Sequence, residues 1–107
     1  MYKISKYQQV ELAGLQVING YCKNGEIFNQ NGSVKNLNIY LNDKVVKMVT
    51  LSNQFSKTQT IVIQPPVPLK AGDVIKLSIQ SVYKGTNYED ACISELKPVF
   101  NLTEVAE

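Results

Sequence analysis

Between Val34 and Leu51 the chain spells two alternating runs folded about Asn42-Asp43. Asn and Asp both tolerate positive φ, so the pair supplies a two-residue hairpin turn. Closing the hairpin there sets the register: Ile39 falls opposite Val46, and Leu37 opposite Met48. These four share the face expected to be the core, while Asn36, Asn38, Tyr40 and Lys47 take the other. Side chains alternate with a period of two, so a slip of one residue would exchange the two sets.

The remaining segments are also short and turn-punctuated. In Val10 to Asn19, Val10 and Leu12 keep one parity and Leu15 and Val17 the other. The switch at Ala13-Gly14 predicts a β-bulge, because one extra residue reverses which side chains face inward. Asn19-Gly20-Tyr21 is a turn signal. Cys22 to Ser33, rich in Asn and Gly, reads as a loop anchored by Ile27 and Phe28. Ser52 to Lys57 is a polar connection with Phe55 tucked beneath it, and Thr58 to Ile63 a β-branched strand. Gln64-Pro65-Pro66-Val67-Pro68 is unsuited to a sheet interior, since proline has no amide donor. Ala71-Gly72-Asp73 turns the chain into Val74 to Tyr83, where Ile75, Leu77 and Ile79 alternate with Lys76, Ser78 and Gln80. A last strand is expected from Cys92 to about Phe100, and Asn101 to Glu107 reads as a fraying polar tail. No segment sustains a 3.6-residue apolar period. The reading is a single all-β domain over residues 1–107, an antiparallel β-sandwich.

At 107 residues the chain is one domain in size, and 44% hydrophobic residues suffice for one core. It has no histidine, tryptophan or arginine, and all eleven basic residues are lysines. Without histidine the commonest general base and zinc ligand is missing. Without arginine, bidentate recognition of phosphate or guanine has no carrier. A net charge of +2 on dispersed lysines is a solvated surface, so no nucleic-acid partner is expected. No apolar run approaches the roughly 18 residues of a membrane span, and Met1 to Val10 lack the apolar core of a signal peptide. Neither metal nor cofactor is expected. Cys22 and Cys92 lie far apart and form no CxxC; spacing leaves a disulfide and two free thiols both open, with free thiols slightly favoured.

The richest stretch is Val82 to Leu96, VYKGTNYEDACISEL. A turn at Lys84 to Asn87 is flanked by Tyr83 and Tyr88 and followed by Glu89 and Asp90. Tyrosines supply ring faces for stacking and polar tips, and carboxylates accept ligand hydroxyls, contribute to a calcium site, for which no further oxygen ligands are legible, or cap the amides of their own turn. Asp90 is expected in the capping role. Tyr21 and Asn24, after a different strand, reach the same end if the two strands are neighbours. The candidate ligand-binding set is therefore Tyr21, Asn24, Tyr83, Tyr88, Glu89 and Asp90. Glu95 shares its parity with Ile93 and Lys97, so a buried position would require an ionic or hydrogen-bonded partner. Glu95 and Asp90 match a retaining glycosidase pair by residue type alone, and no further acid–base partner is legible. The chain is read as non-catalytic.

Three segments carry a family resemblance: LQVINGYCK (Leu15 to Lys23), NGSVKNL (Asn31 to Leu37) and Val82 to Leu96. The last contains Tyr83-x-Gly85-x-x-Tyr88-x-Asp90-x-Cys92-Ile93-Ser94-Glu95. Together they resemble the discoidin-like module named for the translocation domain of bacterial NAD-glycohydrolase toxins. The resemblance implies a galactose-binding-like jelly roll, a non-enzymatic accessory role, glycan binding, and a secreted or cell-envelope setting. The family's upstream tryptophan-containing stretch has no counterpart here, which implies a domain lacking an N-terminal part. The expected function is carbohydrate binding by an accessory or targeting module. The alternative is a protein-interaction or assembly module on the same fold.

Overall fold

A computed structural model describes residues 8–104. Six strands and one short helix follow in the order β1 (Gln8–Asn19), α1 (Gly25–Gln30), β2 (Ser33–Leu41), β3 (Lys44–Thr50), β4 (Thr58–Leu69), β5 (Ile75–Tyr83) and β6 (Ile93–Glu104). They form two three-stranded antiparallel sheets, β4-β1-β6 and β3-β2-β5. The hairpin β2–β3 stays within one sheet, and every other strand connection crosses to the opposite sheet. The chain is an all-β sandwich, as its alternation requires.

The core lies between the central strands. Leu12, Leu15 and Val17 of β1 face Val34, Leu37 and Ile39 of β2, closed by Leu51, Ile61 and Ile63. Each such side chain contributes about 1.5–3 kcal/mol by leaving water. The β1 bulge falls where the parity switch places it: the register shifts between Leu12 and Gly14 against both neighbours. Gly14 is required there, because a Cβ would run into the Ile61 carbonyl of β4.

The hairpin turn forms at Asn42 and Asp43, with φ of 49° and 70°. Its register holds for only two pairs. Tyr40 pairs with Val45, but Ile39 then pairs with Lys47, Asn38 with Met48 and Leu37 with Val49. A bulge at Val46 is the cause. Leu37 and Ile39 are buried as expected; Met48 is turned outward, 70% exposed, and Lys47 lines a cleft beside Val49, Leu51 and Ile61.

Three further expectations are corrected. The stretch Cys22 to Ser33 holds the six-residue helix α1, with Phe28 buried and set edge-on to Phe55 at 5.7 Å. Strand β4 runs on through the prolines to Leu69, because it is an edge strand whose missing donors face no third neighbour. Strand β6 continues through Asn101 to Glu104, paired to β1, where a fraying tail was expected.

Candidate functional site

The loop end of the sandwich is built by α1 and the segment from Lys84 to Cys92. Asn24 caps α1, its Oδ1 accepting from Ile27 N at 2.8 Å. The last carbonyls of a helix lack partners inside it. Here the long loop supplies them: Thr86 N donates to Asn29 O at 2.9 Å, and Asn87 N and Tyr88 N donate to Gln30 O at 3.1 and 3.0 Å. Gly85 makes this docking fit, since a Cβ there would strike Gln30 O.

Beyond the tip, the segment returns to the sheets. Asp90 Oδ1 accepts from Gly32 N at 2.6 Å, and its Oδ2 accepts from the Cys92 thiol at 3.3 Å. Cys92 N donates to Gly32 O, and Cys92 O accepts from Gly20 N at 2.9 Å. Ser94 Oγ donates to Gly20 O at 2.6 Å while accepting from Cys22 N at 3.0 Å. Partial burial, reinforced by the Asp90 carboxylate, pushes the Cys92 thiol above its ordinary range.

Over this hydrogen-bonded floor lies an open cleft of about 620 Å³, lined by Tyr21, Cys22 and Lys23 on one side and Ala91 to Ser94 on the other. Tyr21 forms its aromatic wall, 47% exposed. Gly20 places it by adopting φ +82°, with the Phe28 ring packed where a side chain would project. Both cysteines are free thiols on the cleft wall. Cys22 is more than an incidental loop residue: it donates to Asn19 O at 3.2 Å and accepts from Ser56 N at 3.4 Å.

The six sequence-derived candidates divide evenly. Asn24 is the helix cap, Asp90 ties Gly32 to Cys92, and Tyr83 donates its hydroxyl to Leu51 O at 2.8 Å with the Lys35 ammonium 5.7 Å from its ring. Their polar groups serve the scaffold. Tyr21, Tyr88 and Glu89 are exposed, Tyr21 on the cleft and the other two on the loop leading into it. Glu89 pairs loosely with Lys84 at 3.5 Å. Glu95 forms a solvent-exposed ion pair with Lys97 at 2.8 Å, and Asp90 Oδ1 is engaged by Gly32 N. Lys23, Ala91 and Ser94 also line the cleft, and of these only Ser94 belongs to a sequence motif, the Tyr83–Glu95 run. Among the described residues no cluster of three metal-ligating side chains occurs, and no helix is long and apolar enough to cross a membrane.

No curated protein and no solved structure matches the chain. The family description "NAD glycohydrolase translocation F5/8 type C domain" matches residues 1–99, nearly the whole length, and agrees with the two-sheet sandwich. The chain belongs to the NAD glycohydrolase translocation F5/8 type C domain family.

Proposed function

We propose that this domain is a non-catalytic accessory module that binds carbohydrate at its loop end. One observation carries the reading: the exposed Tyr21 ring walls a cleft whose floor is fixed by the Gly20, Cys92 and Ser94 hydrogen bonds. A sugar presents an apolar ring face and a rim of hydroxyls. Tyr21 offers the complementary ring, Lys23 offers donors and Glu89, on the adjoining loop, offers acceptors. Loops held by rigid sheets are where recognition concentrates. The cleft is shallow and leaves much of a ligand in water, so affinity falls in the range of about micromolar to millimolar. The partner is a glycan or glycosylated surface, in the secreted or envelope setting that the family suggests.

A second reading, assembly with another protein, has one observation in its favour. On β6, Leu96, Phe100 and Leu102 pair with buried Val17, Leu12 and Val10, so they face the core side of the sheet, yet all three stay half-exposed. Pro98 stands in the middle of that row and works against pairing of a further strand to this edge.

The deciding experiment is a glycan array followed by calorimetry, comparing wild type with Tyr21→Ala, Tyr88→Ala and Glu89→Ala, each checked for retained fold. Loss of binding in the folded variants supports the site. If wild type binds no glycan at millimolar concentration, or the variants bind equally well, the assembly reading replaces it.

A further inference from the structure

The second sheet carries an outward face unlike an ordinary solvated surface. Asn36, Asn38 and Tyr40 project from its central strand β2, opposite inward Leu37 and Ile39. Across β3 they meet Thr50, Met48 and Val45; across β5, Asn36, Asn38 and Tyr40 meet Ser81, Ser78 and Lys76. A groove of about 400 Å³ crosses all three strands, lined by Asn36, Asn38, Met48, Val49, Thr50 and Gln80. None of these side chains bears a formal charge.

The groove is built by irregularities of register. The bulge at Val46 reverses the parity of β3, taking Met48 from the core side and standing it beside Asn38. Two further shifts against β5 flank Asn36. Bulges re-aim side chains and bend the strand that carries them. Without the one in β3, the alternation would bury Met48 and set charged Lys47 opposite Asn38 in its place. The polar lining is also oriented: the Asn36 amide donates to Ser81 Oγ and accepts from Thr50 Oγ1, both at 2.8 Å. Asn38 Nδ2 reaches the Tyr40 hydroxyl at 3.4 Å, a long bond that a ligand hydroxyl readily displaces.

We infer that this sheet face is a second binding site, distinct from the loop-end cleft, for an uncharged oligosaccharide laid across the strands. Side-chain amides donate and accept at once, as sugar hydroxyls do. A methionine thioether is an adaptable apolar surface for the C–H face of a sugar ring. A charged ligand would find no counter-charge within the groove, and its desolvation there would go uncompensated. The inference shares a ligand class with the function proposed above but rests on different residues.

Isotope-labelled protein is titrated to millimolar concentration with neutral gluco-, galacto- and manno-oligosaccharides, with a sialylated oligosaccharide as the anionic control. At least one neutral sugar is expected to produce saturable shifts in the side-chain amides of Asn36, Asn38 and Gln80 and in the Met48 methyl. Folded Asn38→Ala and Met48→Lys should each weaken that binding about tenfold or more, a readily measured difference, and Tyr21→Ala should leave it intact. Shifts confined to the surroundings of Tyr21 and Ser94 overturn this inference and leave the loop-end site standing; shifts confined to the sheet do the reverse. No saturable shift overturns both, and preference for the sialylated control overturns the neutral assignment.

Discussion

Asn19 and Val34 exchange two hydrogen bonds across the sandwich: Asn19 Nδ2 donates to Val34 O at 2.7 Å, and Asn19 Oδ1 accepts from Val34 N at 2.9 Å. A side chain at the end of β1 thereby replaces a missing strand partner at the start of β2. The same amide nitrogen also reaches Ser52 O at 3.2 Å, and Asn19 is fully buried. Asn19→Leu should therefore cost about 2–4 kcal/mol in urea unfolding, since it removes the bonds and strands a buried N–H and C=O of Val34. A cost below about 0.5 kcal/mol would show that water or another group takes over these bonds.

The hairpin bulge gives a contrast between three positions. Ile39→Ala should destabilise by about 2–5 kcal/mol, as truncation of a buried aliphatic does. Met48→Lys and Asn38→Ala, on the outer face, should each stay within about 1 kcal/mol of wild type. If Met48→Lys is as costly as Ile39→Ala, strand β3 keeps the unbulged register.

Thiol chemistry tests the Asp90–Cys92 contact. Because its pKa is raised by desolvation and by Asp90, Cys92 should alkylate with iodoacetamide at pH 8 more slowly than a free cysteine standard. Asp90→Asn should speed the reaction. Reductant should leave the melting temperature of the native protein within a few degrees, since both thiols are free; a disulfide in a small domain would make reduction cost about 2–5 kcal/mol.

The turn after β4 carries an acid-sensitive clasp. Asp73 accepts from Asn42 Nδ2 at 2.8 Å and from Lys70 N at 2.9 Å, and these bonds hold its pKa below the ordinary 3.8. A depressed folded-state pKa stabilises the fold above the unfolded value, and that gain disappears as pH falls through the folded one. Between pH 7 and about pH 2, wild type should lose more stability than Asp73→Asn does. Parallel acid profiles would remove Asp73 from the account.

Gly85→Ala should undock the loop from α1, because the added methyl meets the Gln30 carbonyl. Hydrogen exchange at the Thr86, Asn87 and Tyr88 amides should accelerate at least about tenfold while the β1 and β2 amides stay protected, as expected for a local opening. Unchanged protection at these three amides would refute the docking.

The sequence foretold what strong local chemistry dictates. Asn42-Asp43 had to be a tight turn, the parity switch around Ala13-Gly14 had to be a bulge, and Asp90 after a glycine turn had to bind backbone donors. The β3 bulge could not be placed from sequence, because Val45-Val46 and Met48-Val49 put apolar residues on both parities and so fit either register. Helix α1 spans less than two turns, too short for a period to appear, although Asn24 three residues before Ile27 is a capping signal in retrospect. Asn19 read as a turn residue because its burial depends on a strand 15 positions away. The scaffold bond of Tyr83 to Leu51 was not legible, because its partner is fixed by how the loops pack and not by local sequence.

The pairing of β1 with β6 also gives the domain two distinct poles. Gln8 lies opposite Glu104, and Asn19 opposite Ile93, so both strands run the length of the sheet together. Twelve extended residues cover about 40 Å at roughly 3.3 Å each. That length separates the Gln8–Glu104 corner from Tyr21 and the cleft at the opposite pole. A group attached at Gln8 or Glu104 would therefore stand a strand's length away from the cleft.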